Sequence, residues 1–449
     1  MATKEYAEYG GEPTDLVERI PANTLDSEWL KLNVKSYAGH IKVEEKHNCH
    51  LFYWFFESQK CKYTDDTEKS KIPLIIWLNG GPGASSLAGL FMENGPFRIK
   101  DSAVPSIEPN PASWNEEVHL LYWDQPVGTG YSYSNNYYVS SEEELSEQFY
   151  KGLKGFFERH KEYTKNPLYI VGESYAGKYI PNIALRICKS KDKDIQLKGI
   201  AIGDGWIKPK LQLEMQIDYA FNMGFIDTMQ KGCLNDKLKD FSSAIENGDL
   251  KKANDLGEAL MKTLLNYAGH PDIYDVRRWG SGVSVDVLST YLNHPTVKDA
   301  LFKNAGNVTW QCSDDDGPVA QALKEDVFMD LSDENLKTLF NQYNVLMYTG
   351  NFDMSCGFTG TENILSNINW KDWNEKSIRK IWVDNSGMTL GYYKNVDTSP
   401  TLTLTQIVIP DSGHLVPMDQ PIRSRQMIYN WILPGHKFLT FKPESAVIE

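Results

Sequence analysis

The chain has 449 residues, of which 41% are hydrophobic and 12% aromatic, enough apolar mass for one large core carrying insertions. A formal charge of −14 speaks against nucleic acid or an anionic membrane surface as a partner, because phosphate recognition needs a basic footprint. The most apolar short run, Ile72 to Leu78, falls far below the roughly 18 residues that a membrane-spanning helix requires.

The N-terminal stretch MATKEYAEYGGEPTDLVERIP lacks the basic start and apolar run of a signal peptide, and taken literally it reads as the start of a cytoplasmic chain. Cys49 and Cys61 bracket LFYWFFES, which reads as a strand. Extended at ~3.3 Å per residue, it holds them ~30 Å or more apart, whereas a disulfide needs Cα atoms within ~7 Å. None of the six cysteines (Cys49, Cys61, Cys188, Cys233, Cys312 and Cys356) sits in a C-x-x-C pair, so a zinc or thioredoxin-like site has no support. Asn307-Val308-Thr309 is a glycosylation sequon and points instead to the secretory route.

Six short apolar runs, each ending in a turn, have the character of buried parallel strands: 73–81, 119–126, 167–174, 198–205, 344–351 and 405–413. Helical patterns separate many of them, as at Glu142 to His160. Alternation of this kind predicts an α/β fold, a mainly parallel sheet covered on both faces, with ligands gathered at the carboxyl ends of the strands. The stretch 208–303 differs: it is rich in Lys, Asp, Leu and Ala at helical spacing and is read as a mostly helical insertion. It divides the core into 1–207 and 304–449. Placed over the strand ends it is a lid; the bland alternative is an extra helical layer at the side of the sheet.

Gly172-Glu173-Ser174-Tyr175-Ala176 is close to the G-x-S-x-G turn between a strand and a helix, which lifts a serine hydroxyl clear of a sheet. PLYIV supplies the strand before it and Lys178 to Cys188 a helix after it. A serine needs a base. Of nine histidines, His414 follows the strand TQIVIP in a short loop, while the others read as surface or packing residues. For the acid, Asp353 and Asp384 both end strands. The order Ser, Asp, His along the chain is that of α/β-hydrolases, and three such groups in the right contexts outweigh the structural reading of each alone.

The segments WLNGGPGASS (77–86), FMENGP (91–96), NPASWN (110–115), DQPVGTGYSY (124–133), GESYAGKYIP (172–181), GIAIGDGW (199–206), GNFDMSCGFTGT (350–361) and GHLVPMDQP (413–421) carry a resemblance to the serine carboxypeptidase family over nearly the whole chain. The resemblance implies the α/β-hydrolase fold and hydrolysis of peptides one C-terminal residue at a time, through an acyl-enzyme, with no metal and no cofactor. It selects Asp353 over Asp384 as the acid and assigns the oxyanion hole to the backbone N–H groups of Gly81 and Tyr175. It assigns the substrate's terminal carboxylate to Trp77, Asn79, Gly80, Glu93 and Glu173. Two close acids bind an anion only if one of them keeps its proton, so this pair is expected to titrate well above ~4.3 and to favour mild acid. Leu415 and Cys356 are implied to border the specificity pocket, with Leu415 suiting apolar leaving residues. A relative of this kind that transfers acyl groups or cleaves cyanohydrins keeps the same triad, as does an inactive binding scaffold.

The departures are local. Ala84 stands where the family commonly has a cysteine bridged to the position of Cys312, and the cysteine pairs that staple the family's lid are absent, as a reducing compartment or a lid of different shape would explain. The family itself implies a secretory, vacuolar or lysosomal setting. Ala176 in place of Gly and Lys178 where His is common are expected to modify the pocket beside the nucleophile.

Overall fold

The computed structural model describes residues 15–24, 29–32, 34–100, 102–280, 283–302, 308–312, 317–368, 370 and 373–441. Asn307, the sequon asparagine, lies outside them. Eleven strands form the main sheet: β1 (Ser36–Glu44), β2 (Cys49–Phe56), β3 (Leu74–Leu78), β4 (His119–Asp124), β5 (Leu168–Glu173), β6 (Leu197–Gly203), β7 (Asn344–Gly350), β8 (Lys380–Val383), β9 (Thr389–Ser399), β10 (Leu402–Ile409) and β11 (Leu439–Thr440). Their order is β11-β8-β9-β10-β7-β6-β5-β3-β4-β2-β1. The six runs read as parallel strands are the contiguous parallel centre, β10-β7-β6-β5-β3-β4. Antiparallel strands complete both edges.

The central strands are mostly apolar because both faces are covered, with a few polar residues such as Asp124, Glu173 and Gln406 buried among them. All of Leu74–Leu78 and all of Leu168–Glu173 are buried. Alternate side chains serve opposite faces. Ile76, Ile170 and Ile202 meet helices α2 (Glu142–Arg159) and α3 (Ala176–Ser190), while Ile75, Val171 and Tyr348 join the core that includes Leu87 and Leu90 of a helix at Ser86–Met92. Helix α2 starts where Ser141 caps the Glu144 N–H and carries three acids in its first turn, both favourable at the positive end of a helix. Helix α3 begins two residues earlier than its sequence pattern, because the turn at Ser174 leaves Tyr175 already in helical geometry as the N-cap.

Between β6 and β7 lie α4 (Pro209–Asn222), α5 (Thr228–Glu246) and α6 (Leu250–Ala268). Asp227 and Gln230 form a reciprocal capping box that starts α5, and Gly269 in left-handed geometry ends α6. These helices share a small core of their own, with Ile217, Leu234, Phe241, Leu260 and Leu264 buried in it. Phe328 and Met354 from the rest of the chain pack into the same core. The stretch after α6 departs from the helical reading: 269–280 contains no helix. Pro271 cannot continue one, and Asp272 and Asp275 bond to neighbouring backbone instead. Cys49 and Cys61 stand at and beyond opposite ends of β2, and both are thiols. No described helix is long and apolar enough to cross a membrane.

Candidate active site

Ser174 directly follows β5 with φ +61°, a left-handed value that an L-residue adopts only when its surroundings impose it. Its N–H donates to the Gly203 carbonyl at 3.0 Å, and its own carbonyl accepts from Trp206 N–H at 2.9 Å, so the end of β6 grips the turn from both sides. Close packing demands small residues here. A Cβ at Gly177 would lie 2.8 Å from the Trp206 nitrogen. Ser174 is half-buried amid buried neighbours, which leaves its hydroxyl on the cleft.

The base and its orienting acid come from two other strand ends. His414 Nδ1 donates to Asp353 Oδ2 at 2.8 Å, both residues being buried. Asp353 also accepts from the N–H groups of Ser355 at 2.7 Å and Cys356 at 3.1 Å. The other ring nitrogen of His414, Nε2, is buried without a hydrogen-bond partner among the described residues, and His414 lines the same cleft as Ser174. Asp384, the other strand-end acid, is half-buried just after β8 and accepts from the N–H groups of Ser386 and Met388, while His414 pairs with Asp353.

Gly80 and Gly81 follow β3 and pass beside the nucleophile turn. A Cβ at Gly80 would sit 2.3 Å from the Tyr175 nitrogen, so glycine there is what lets the loop of Gly81 and the N–H of Tyr175 face one region. Gly81 lines the cleft with φ +104°. Tyr175 is buried, and its hydroxyl donates to Asp326.

Next to Ser174, Asn79 donates to Glu173 Oε1 at 2.9 Å and to Glu93 Oε1 at 3.4 Å. Trp77, fully buried, donates its indole N–H to Asn79 Oδ1 at 2.8 Å and so fixes which way the amide points. The second oxygens of Glu93 and Glu173 are buried with no partner. Burial pushes both carboxyls up, and the proximity of Glu93 adds to the rise at Glu173. One proton therefore stays between them under conditions in which an exposed pair would have lost both.

Of these groups Asn79 and Glu173 open onto a cleft of about 690 Å³, within the range of ligand sites, while Trp77 and Glu93 are not part of its lining. Leu415 lines it, as do Asn79, Gly80 and Glu173. Cys356 does not: its thiol is buried against Ser355, and its contribution is the backbone N–H given to Asp353, so its place beside the specificity pocket is corrected. Lys178 is likewise corrected. It is buried behind the turn and paired with Asp326 at 2.9 Å, away from the cleft lining.

The sequence reading missed the opposite wall, formed by Asp272, Tyr274, Asp275, Arg278, Val283 and Val285. This is the irregular tail of the insertion rather than its helices. It also braces the catalytic loops, since His414 N–H donates to Tyr274 O at 2.7 Å and Met354 N–H to Ile273 O at 3.0 Å. The Tyr274 ring lies 4.8 Å from that of His414. Asp419 accepts from Gly413 N–H at 2.7 Å and from Arg277 and Arg278 at 3.1 Å each, tying the histidine loop to the same tail. Nothing in HPDIYDVRRW forms a motif; the only signal was the break in helical pattern at Gly269 and Pro271.

Comparison with known proteins agrees with this geometry. A family model described as serine carboxypeptidase matches residues 27–434. "Serine carboxypeptidase S10 family member 1" of Dictyostelium discoideum is 33% identical, the match covering 88% of this chain and 93% of that protein. "Vitellogenic carboxypeptidase" of Aedes aegypti is 32% identical over 88% of this chain and 83% of its own length. Among solved structures, the prohormone-processing carboxypeptidase Kex1(delta)p of Saccharomyces cerevisiae superposes with a TM-score of 0.77 at 24% identity, covering 91% of this chain and 94% of that one, and shows the shared α/β-hydrolase fold. The chain belongs to the serine carboxypeptidase family of serine hydrolases.

Proposed function

We propose that this enzyme removes single residues from peptide C-termini through an acyl-enzyme on Ser174, working best in mild acid and on apolar leaving residues. The observation that carries the proposal is the buried Asn79–Glu93–Glu173 group beside the nucleophile, with two carboxyl oxygens left without partners. A site for a terminal carboxylate needs donors and no fixed negative charge. Asn79 and one protonated glutamic acid provide that, and an acyltransferase has no use for it.

In this reading His414 Nε2 takes the Ser174 proton as the hydroxyl attacks the scissile carbonyl, and the N–H groups of Gly81 and Tyr175 receive the oxyanion. His414 then protonates the leaving amine. Water repeats the sequence on the acyl-enzyme with His414 again as base. Asp353 keeps the imidazole in the tautomer that leaves Nε2 free to accept. Leu415 and Met418 give the leaving residue an apolar surface, and the tail of the insertion covers the cleft as a lid.

The test is mass-spectrometric sequencing of products from a peptide library with free C-termini. Stepwise loss of single residues, fastest for apolar ones, is expected. Failure to shorten any free-acid peptide, with acyl transfer from esters retained, would reject the proposal in favour of an acyltransferase.

A further inference from the structure

Asp204 is a fully buried acid for which the reaction above has no role. It follows β6 at φ +41°, held by its N–H to the Tyr348 carbonyl at 2.8 Å. A carboxylate oxygen of Asp204, one of Asp353 and a ring nitrogen of His414 lie within 4.8 Å of one another. The titratable groups facing Asp204 are Asp353, His414, Glu173 on β5, Tyr348 on β7 and Cys356 on the Asp353 loop.

Two carboxylates this close in a dry site do not both ionise. Hydrogen-bond donors decide which one does. Asp353 accepts from three, Ser355 N–H, Cys356 N–H and His414 Nδ1–H. Asp204 accepts from Gly350 N–H alone, at 3.0 Å.

We infer that Asp204 keeps its proton and donates it to Asp353, as a positioning residue that orients the acid of the triad. The inference rests on the triad reading proposed above. Burial, then repulsion from Asp353, pushes the Asp204 carboxyl up, in the same sense. The consequence is geometric: a proton donated by Asp204 holds the Asp353 carboxylate in place opposite His414 Nδ1.

The experiment compares wild type, Asp204→Asn and Asp204→Ala. Each is assayed as kcat/KM against pH on an ester without a terminal carboxylate, so that the glutamate pair does not contribute. Asp204→Ala is expected to lower kcat about tenfold with KM little changed, the ordinary scale for a lost buried hydrogen bond in a charged network. Asn keeps a donor toward Asp353 and an acceptor for Gly350, so Asp204→Asn should recover most of that loss with the acid-limb midpoint unmoved. A midpoint lowered by about one unit in Asp204→Asn would mean that a charge had been removed, and would overturn the inference. So would a bound cation between the two acids by metal analysis.

An infrared difference spectrum, Ser174→Ala minus Ser174→Ala/Asp204→Asn, reads the proton without turnover. A carboxylic-acid carbonyl band supports the inference and carboxylate bands reject it, even if Asp204→Ala does not fold. Failure of the triad reading looks different: Ser174→Ala would then keep esterase activity and phosphonate labelling.

Discussion

The two walls of the cleft are built differently. On the sheet side, Glu173, Asp353 and His414 are each at most 4% exposed: Asp353 is held by backbone N–H groups and His414, and Glu173 by the Asn79 amide. On the insertion side, Tyr274 and Val283 are 47% and 38% exposed. The arginines there, with side chains 36% and 42% exposed, reach from solvent to the buried Asp419. The contrast separates two tasks. Chemistry needs groups fixed to within a fraction of an ångström, which a buried parallel sheet provides. Covering and shaping the substrate tolerates, and in a lid requires, a wall of low local stability.

The largest effect should come from the sheet side. Ser174→Ala is expected to abolish phosphonate labelling and lower turnover on the order of 10⁴-fold or more, for every substrate alike. His414→Ala should cost nearly as much and the double variant little more, because the residues act as one unit. Rates measured for the three variants check this; additive losses, or a loss that varies widely between substrates, would break the division of labour.

An intermediate effect is expected from Glu173→Gln. The carboxyls of Glu93 and Glu173 are raised, so the shared proton is bound at low pH and is lost as pH rises through that elevated value. Wild-type activity on free-acid peptides should fall over that window, while C-terminal amides keep theirs. Gln donates without ionising and should flatten the alkaline fall for free acids, although its low-pH rate drops about tenfold from altered geometry. Paired kcat/KM–pH profiles decide it; superimposable wild-type profiles for the two substrates would remove the carboxylate site from the sheet wall.

Tyr274→Ala should do least. It deletes the ring beside His414 but keeps the backbone carbonyl that accepts from His414 N–H. A few-fold rise in KM with kcat nearly unchanged is expected, read by steady-state kinetics on one peptide series. A kcat loss approaching that of His414→Ala would show that the insertion is part of the catalytic wall and would dissolve the comparison.

Much of this was legible beforehand. Six apolar runs bounded by turns read directly as the parallel centre, because a strand buried on both faces is predominantly apolar along its length. Ser174, Asp353 and His414 could be placed because each closes such a run, where topology collects functional groups. Asp204 closes a run in the same way, between glycines in GIAIGDG, yet was not singled out. No local pattern distinguishes an acid that faces another acid across two strands from one that merely ends a strand.

By itself, the sequence determined the strands, the nucleophile turn and the glycines of the oxyanion loop, since these depend on burial and backbone geometry within a few neighbouring residues. Only the tertiary structure decided the rest. It set Asp204 close to Asp353 and His414, turned Lys178 and Cys356 away from the cleft, and brought residues 271–280 and 283–285 rather than the helices against the active site. The reason is physical: those outcomes depend on distances between segments separated by tens to hundreds of residues, which the packing of the sheet and insertion sets and no local run of residues encodes.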